Sequence, residues 1–471
     1  MKHPISFLLV AIPAILVTGI LISQHSQAAK PLASPQIPLP PPYPTPTATP
    51  PPLPVAPLHG TLPGWLHTDG TRVVDIHGRT VRLVAINWYG AETPDFVPGG
   101  LAYRPYISIL RTIKYLGFNS VRLPFSNELV ERNPNVTAHL EANPWFHNMH
   151  ALDILDSIIK AAGQVGLMVI LDDHRSQAGW TAQENGLWYD LPNYTPGGWI
   201  KDWITMARRY KDNPAVVGYD LRNEPHSHGP GQELLSIGYL HQGATWGPFL
   251  GADNPASDWR LAAEQAGNAI LSVNPHALII VEGTQIYPTR NPLKGAYCPF
   301  NIPATAGYCE DSYWWGGNLA GIKQYPVVLN VPHQLVYSAH EYGPEMHGQR
   351  WITADMGEYN WQQAMYHHWG YLLDDKVANA APVWVGEFGT PTDSDADIHD
   401  LRGNSQGRWF SALVHYLQRH PQIGWAYWSI NGTTSDGVAR TYGARDSFGL
   451  LTKDWSHLSR DTLLKALQTI Q

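Results

Sequence analysis

Eight short apolar runs, each closing on polar residues, constrain what this 471-residue chain can fold into more than any other feature. They cover residues 81–87, 119–125, 168–174, 216–223, 278–282, 335–339, 383–387 and 424–429. Short, nearly continuous apolar runs suit strands buried on both faces. Between them, apolar residues recur at helical spacing over 104–116, 152–165, 199–210, 259–273, 359–373 and 408–419, with a weaker pattern at 318–324 and a closing one at 460–470. This alternation predicts an α/β fold, a (β/α)8 TIM barrel of about 400 residues with enlarged βα loops. Ahead of it, the turn pairs Asp69-Gly70 and His77-Gly78 flank the alternating TRVVDI. That reads as an N-terminal β-hairpin, placed to close the bottom of the barrel.

The N-terminus has another composition. Lys2 and His3 precede an apolar run over 7–22, and Ser26-Gln27-Ala28 supplies small residues for cleavage. Residues 1–28 are therefore expected to be a signal peptide. Residues 29–57 form a proline-dense linker, extended over roughly 80 Å at ~3.1 Å per residue. It reads either as the remnant of a lost binding module or as a stalk on an uncleaved anchor. The catalytic domain is expected over 58–471. The protein is then secreted and extracellular, or tethered at the cell surface, with membrane contact only if the first segment is retained.

Composition narrows the partner. A net charge of −8, a pI near 6.2 and only 15% charged residues argue against nucleic acid. The 19 Trp and 23 Tyr exceed what a core requires. They fit either stacking on sugar rings or the packing of large loops. Cys298 and Cys309, close in one loop-like segment, are expected to form a local disulfide in an exported chain. Their spacing is not that of a zinc site.

A parallel barrel gathers functional groups at the C-terminal ends of its strands. Taken in order, those ends supply Asn87-Trp88-Tyr89, Arg122, Asp173-His174, Asn223-Glu224, Glu282, His340-Glu341-Tyr342, Glu387 and Trp428. Pro225 stops the fourth run just after its Asn-Glu pair. Glu224 and Glu387, on strands roughly opposite one another, match the two carboxyls that glycoside cleavage needs: one protonated acid, one ionised partner. Arg122 and Tyr342 are expected to hold Glu387 ionised, and Asn223 to meet a sugar 2-hydroxyl. The alternatives are a structural salt bridge for Arg122 and a turn residue for Asn223. Asp172-Asp173-His174 with His340 and Glu341 raises metal catalysis, but no His-x-His pair ends the first strand, and His174 and His340 are read instead as hydrogen-bonding walls of the subsite. Glu282 is a third carboxyl, assigned to loop support. Trp428 is read as a stacking platform, and Trp315, in the long fifth loop, as part of a binding wall or as loop packing.

Together the segments VRLVAINWYGAET, NSVRLPF, DLRNEPH, SYWWGGN, YSAHEYGP, VWVGEFGT and YWSING resemble glycoside hydrolase family 5, and within it the secreted bacterial endo-β-1,4-glucanases. The resemblance implies Glu224 as acid/base and Glu387 as nucleophile. It also implies that Arg122, His174, Asn223, His340, Tyr342 and Trp428 complete the subsite; Trp88, Tyr103 and Trp315 are read from the residues as further substrate-binding candidates. It implies no metal or organic cofactor and a β-glucan substrate, and the chain is expected to act as a monomer. One segment departs from the pattern. In Gly100-Leu101-Ala102-Tyr103, Ala102 stands where such enzymes tend to carry a Trp platform. Mannan, mixed-linkage glucan and xyloglucan are therefore alternative substrates, and a non-catalytic carbohydrate-binding barrel is a more remote reading.

Overall fold

The structure, a computed structural model, describes residues 52–227, 243–248, 254–290, 308–349, 351–374, 380–392, 398–437 and 440–471. The expected signal peptide, most of the linker and Cys298 of the expected disulfide lie outside the described residues. The folded unit starts at Pro52, ahead of the boundary expected at residue 58. Leu53 N–H bonds to the Ser456 carbonyl at 2.8 Å and Ala56 N–H to that of Arg111 at 3.0 Å, so the last linker residues already belong to the barrel's surface.

Strands β1 (Leu66–Asp69) and β2 (Arg72–Asp75) form the predicted antiparallel hairpin. The barrel then runs through β3 (Val84–Asn87), β4 (Ser120–Ser126), β5 (Met168–Arg175), β6 (Val216–Asp220) and β7 (Leu278–Glu282). A second hairpin, β8 (Ile286–Arg290) and β9 (Tyr308–Ser312), leaves the seventh strand's loop. Strands β10 (Leu335–Glu341), β11 (Val383–Phe388) and β12 (Gly424–Tyr427) close the ring onto β3. Every barrel pairing is parallel.

Around the ring lie α1 (Tyr106–Tyr115), the short α2 (Asn127–Arg132), α3 (Ala151–Val165), α4 (Pro196–Tyr210), α5 (Trp259–Leu271), α6 (Glu358–His368), α7 (Gln406–Arg419) and α8 (Asp461–Gln468). Their boundaries carry the expected local chemistry. Helix α3 buries Leu155, Ile158, Ile159 and Ala162 along one face and ends at Gly166, whose φ of 80° suits a residue without a Cβ. Asp258 caps α5 by accepting the Leu261 N–H. Two expectations change. The weak helix at 318–324 is a 3-10 turn, Ala320–Lys323, because Gly321 and the nearby Pro326 leave too little chain for an α-helix. The pattern over 359–373 breaks at Trp369 into α6 and a 3-10 turn, Gly370–Leu373. Helix α2, started by Ser126 accepting the Leu129 N–H, was not foreseen.

The inside of the barrel explains where chemistry is placed. A buried cluster of Leu83, Ala85, Met168, Ile170, Leu278, Ile280, Val336 and Ala426 fills its lower layers, and Leu66 and Val73 of the hairpin plug it from below. Side chains alternate along a strand. Continuing the inward period upward from those apolar residues reaches Asn87, Asp172, His174, Glu282, His340 and Trp428. In these strands the apolar floor and the polar mouth are one repeating pattern, whereas in β6 and β11 register shifts carry Asp220 and Glu387 off it.

Candidate active site

Arg122 is the centre of the mouth. It is 0% exposed, and a buried guanidinium persists only if its donors are met by acceptors. Nε donates to Asp220 at 2.9 Å; Nη1 donates to Asn87 Oδ1 at 3.1 Å and Glu387 Oε2 at 3.2 Å. Nη2 donates to Asn223 Oδ1 at 3.0 Å and Glu282 Oε1 at 3.1 Å, and lies 3.0 Å from Asp172 Oδ1. Burial opposes the charge, but the carboxylates of Asp172, Asp220, Glu282 and Glu387 outweigh it and hold Arg122 firmly protonated. Asp172, Asp220 and Glu282 bring oxygens within 4.8 Å of one another, the composition of a cation site. The guanidinium already supplies their positive charge, so the cluster is an arginine socket.

Above this socket stand the two glutamates. Glu387 follows a register shift between Val385 and Phe388 in the pairing of β11 with β12, an irregularity of the kind that re-aims a side chain. Its Oε2 takes the Arg122 contact, and its Oε1 accepts the Tyr342 hydroxyl at 2.5 Å. Burial and the Glu387 charge push the Tyr342 phenol well above its usual range, which keeps it a donor. Glu224 sits just beyond β6 with φ of 49°, a left-handed conformation uncommon away from glycine. Its backbone N–H donates to Glu282 Oε2 at 2.7 Å. Its Oε1 lies 3.2 Å from His340 Nδ1, and ligand atoms of Glu224, His340 and Glu387 all fall within 4.8 Å of each other. Burial, with the Glu387 charge behind it, pushes the Glu224 carboxyl up to about 7, with His340 opposing. His340 is raised well above 6.5 despite its burial, because Glu282 and Glu387 face it.

The remaining expected residues divide. His174 is nearly buried, bonded through Nδ1 to Asp172 Oδ2 at 2.7 Å. Its ring lies parallel to half-buried Trp428 at 5.7 Å, and Trp428 in turn stacks on Tyr89 at 5.1 Å. Trp315 is half-buried, with its ring 3.7 Å from that of His226 and nearly parallel. Tyr103 is 37% exposed and close to Gly443. Trp88 requires a correction: it is 0% exposed and its indole N–H donates to the Gly99 carbonyl at 2.8 Å, so it is core and presents no face to a sugar. His340 is also 0% exposed, placed between carboxylates and not on a cleft wall. Glu282 does hold the loop after β6, through the Glu224 N–H, and it is also a member of the socket. Its place follows from the inward period that already contains Leu278 and Ile280, a signal the sequence carries. Asp220 was missed because a register shift in β6 moves it off the inward period of Val217. Arg222 was missed too: it is fully buried and pairs with Asp173 at 2.7 Å and Ser176 Oγ at 2.6 Å, bracing the loops after β5 and β6.

The chain is similar to known proteins. The family described as Cellulase (glycosyl hydrolase family 5) matches residues 74–434. The chain is 37% identical over 410 residues to an endoglucanase of Paenibacillus polymyxa, across 86% of this chain and 87% of the relative. Among solved structures, an endocellulase from Pyrococcus horikoshii in complex with cellotetraose is 32% identical with a TM-score of 0.69, covering 88% of this chain and 100% of that one. The catalytic domain of the major endoglucanase from Xanthomonas campestris pv. campestris is 29% identical with a TM-score of 0.65, covering 86% and 99%.

Proposed function

The chain belongs to glycosyl hydrolase family 5, and on that footing we propose that it is a retaining endo-acting β-1,4-glucanase with Glu224 as acid/base and Glu387 as nucleophile. The observation that carries the proposal is the approach of the two carboxyls to within 4.8 Å. A gap of about 5–5.5 Å leaves no room for a water between nucleophile and sugar, so the carboxylate itself attacks.

In the first step a Glu387 oxygen bonds to the anomeric carbon while the bond to the leaving oxygen breaks, and Glu224 gives that oxygen its proton. In the second, Glu224 takes a proton from water, whose oxygen bonds to the anomeric carbon and expels Glu387. Arg122 and Tyr342 each donate to one oxygen of Glu387 and aim it. Burial raises the Glu224 carboxyl to about 7, so it carries its proton up to near-neutral pH, as an acid catalyst requires. Asn223, whose Oδ1 is held by Arg122, offers its amide N–H to the 2-hydroxyl. Trp428, Trp315 and Tyr103 provide aromatic surface to the sugars. Residues 1–28 direct export and residues 29–51 act as a spacer, either free at its start or held at the cell surface.

Reducing-sugar release from carboxymethylcellulose, barley glucan and galactomannan, measured side by side, tests the substrate. Release from the two glucans is expected. Release from galactomannan alone overturns the polymer and leaves the two-carboxyl chemistry in place.

A further inference from the structure

We infer that Glu282 is a positioning residue for the acid step: its carboxylate fixes both the backbone of Glu224 and the ring of His340, and so aims the proton donor. The inference rests on the assignment of Glu224 as acid/base.

Glu282 is 0% exposed and ends β7 on the inward side. Its two oxygens do different work. Oε2 accepts the Glu224 backbone N–H at 2.7 Å. Oε1 accepts from Arg122 Nη2 at 3.1 Å and lies 3.1 Å from His340 Nε2. The other nitrogen of that ring, Nδ1, is 3.2 Å from Glu224 Oε1. Glu282 therefore holds Glu224 at both ends, directly at the peptide and through one imidazole at the carboxyl.

The peptide contact is needed because Glu224 has φ of 49° just ahead of Pro225. A non-glycine residue stays there only when its surroundings over-determine it. A fully buried carboxyl oxygen aimed at its N–H from 2.7 Å is such a determinant, because no water can replace it there. The imidazole contact follows the logic of a catalytic triad, in which a buried carboxylate orients a histidine toward the group that transfers the proton. The surroundings are shaped to admit Glu282. Its carbonyl accepts the Trp259 indole N–H at 2.8 Å, and a Cβ added to Gly316 would fall 2.3 Å from its Oε2. Only a glycine at 316 lets the fifth loop close over this carboxylate.

The role has a signature that general loss of structure lacks. Proton donation matters in proportion to how poor the leaving group is. A cello-oligosaccharide expels a sugar alkoxide and needs the acid, whereas dinitrophenyl cellobioside expels a stable phenolate and does not. We therefore compare Glu282→Gln, isosteric and uncharged, and Glu282→Asp with the wild type on both substrates, alongside thermal melting. The expected result for Glu282→Gln is a fall in kcat/KM of roughly 100-fold on cello-oligosaccharide and less than about fivefold on the dinitrophenyl glycoside. Glu282→Asp, which keeps a carboxyl at a shorter reach, is expected to recover part of the first loss. Equal losses on both substrates in variants that melt like the wild type, or no loss on either, overturn the inference. Glu224→Gln in the same assay is expected to show the same split between the substrates; equal losses on both in that variant would instead remove the acid/base assignment beneath the inference.

Discussion

Tyr342 and Glu387 are joined by a 2.5 Å hydrogen bond in which the phenol donates to Oε1. The bond fixes one oxygen of the carboxylate while Arg122 takes the other at 3.2 Å. A carboxylate held at both oxygens has a defined face toward the sugar.

Tyr342→Phe removes that donor and leaves the ring. A hydrogen bond to a charged group contributes about 1.5–3 kcal/mol, so kcat on cello-oligosaccharide is expected to fall about 10- to 100-fold. Melting should stay close to that of the wild type, since the ring's packing is kept. An unchanged kcat would remove Tyr342 from the support of the nucleophile.

Arg122→Met is expected to fail in a different way. It leaves Asp172, Asp220 and Glu282 buried without their cation. Removing one partner from a buried ion pair costs about 3–5 kcal/mol, and several carboxylates lose theirs here at once. Urea unfolding should show a drop of at least that size, or no soluble protein. A variant as stable as the wild type would contradict the socket.

The pH dependence follows from Glu224. Its carboxyl is pushed up to about 7 by burial and by Glu387, from an ordinary value of 4.5. The acid must carry its proton, so kcat/KM should fall as pH rises through about 7. Stability moves the same way. Between the unfolded and folded values the native state holds a proton that the unfolded chain has released, so stability declines as pH rises through that window. Glu224→Gln cannot titrate. Its gain in melting temperature over the wild type should be larger near pH 8 than near pH 5. Equal gains at both would place the group outside the buried, raised state.

Trp428 tests the sugar-facing surface. Its ring lies in a parallel set with Tyr89 and His174 and is half-buried. Trp428→Ala is expected to lower kcat/KM on cello-oligosaccharide about tenfold, mostly through KM, from lost aromatic contact. No change in KM would make Trp428 part of the packing only.

Much of this was legible in the sequence because a parallel barrel writes its function at one end of each strand. The runs at 168–174 and 278–282 became β5 and β7 almost residue for residue, and Glu224 and Glu387 meet as their strand ends required. What was not legible depended on burial. Trp88 follows a strand end like the others, but it turns into the core and bonds to Gly99. His340 has the residue type of a cleft wall, yet Glu282 and Glu224 enclose it. The role of Glu282 was hidden because no local motif marks it; only the inward register from Leu278 and Ile280 does. Helix α2 rests on a six-residue pattern too short to show periodicity.

The central claim is that the two carboxyls stand close enough for direct attack, and the configuration of the first product reads that distance most directly. Proton NMR of cello-oligosaccharide hydrolysis, followed from the earliest turnovers, should show the β-anomer of the new reducing end appearing first and the α-anomer growing only by mutarotation. The α-anomer appearing first would mean that water attacks from the opposite face, and the account of Glu387 as nucleophile would be wrong.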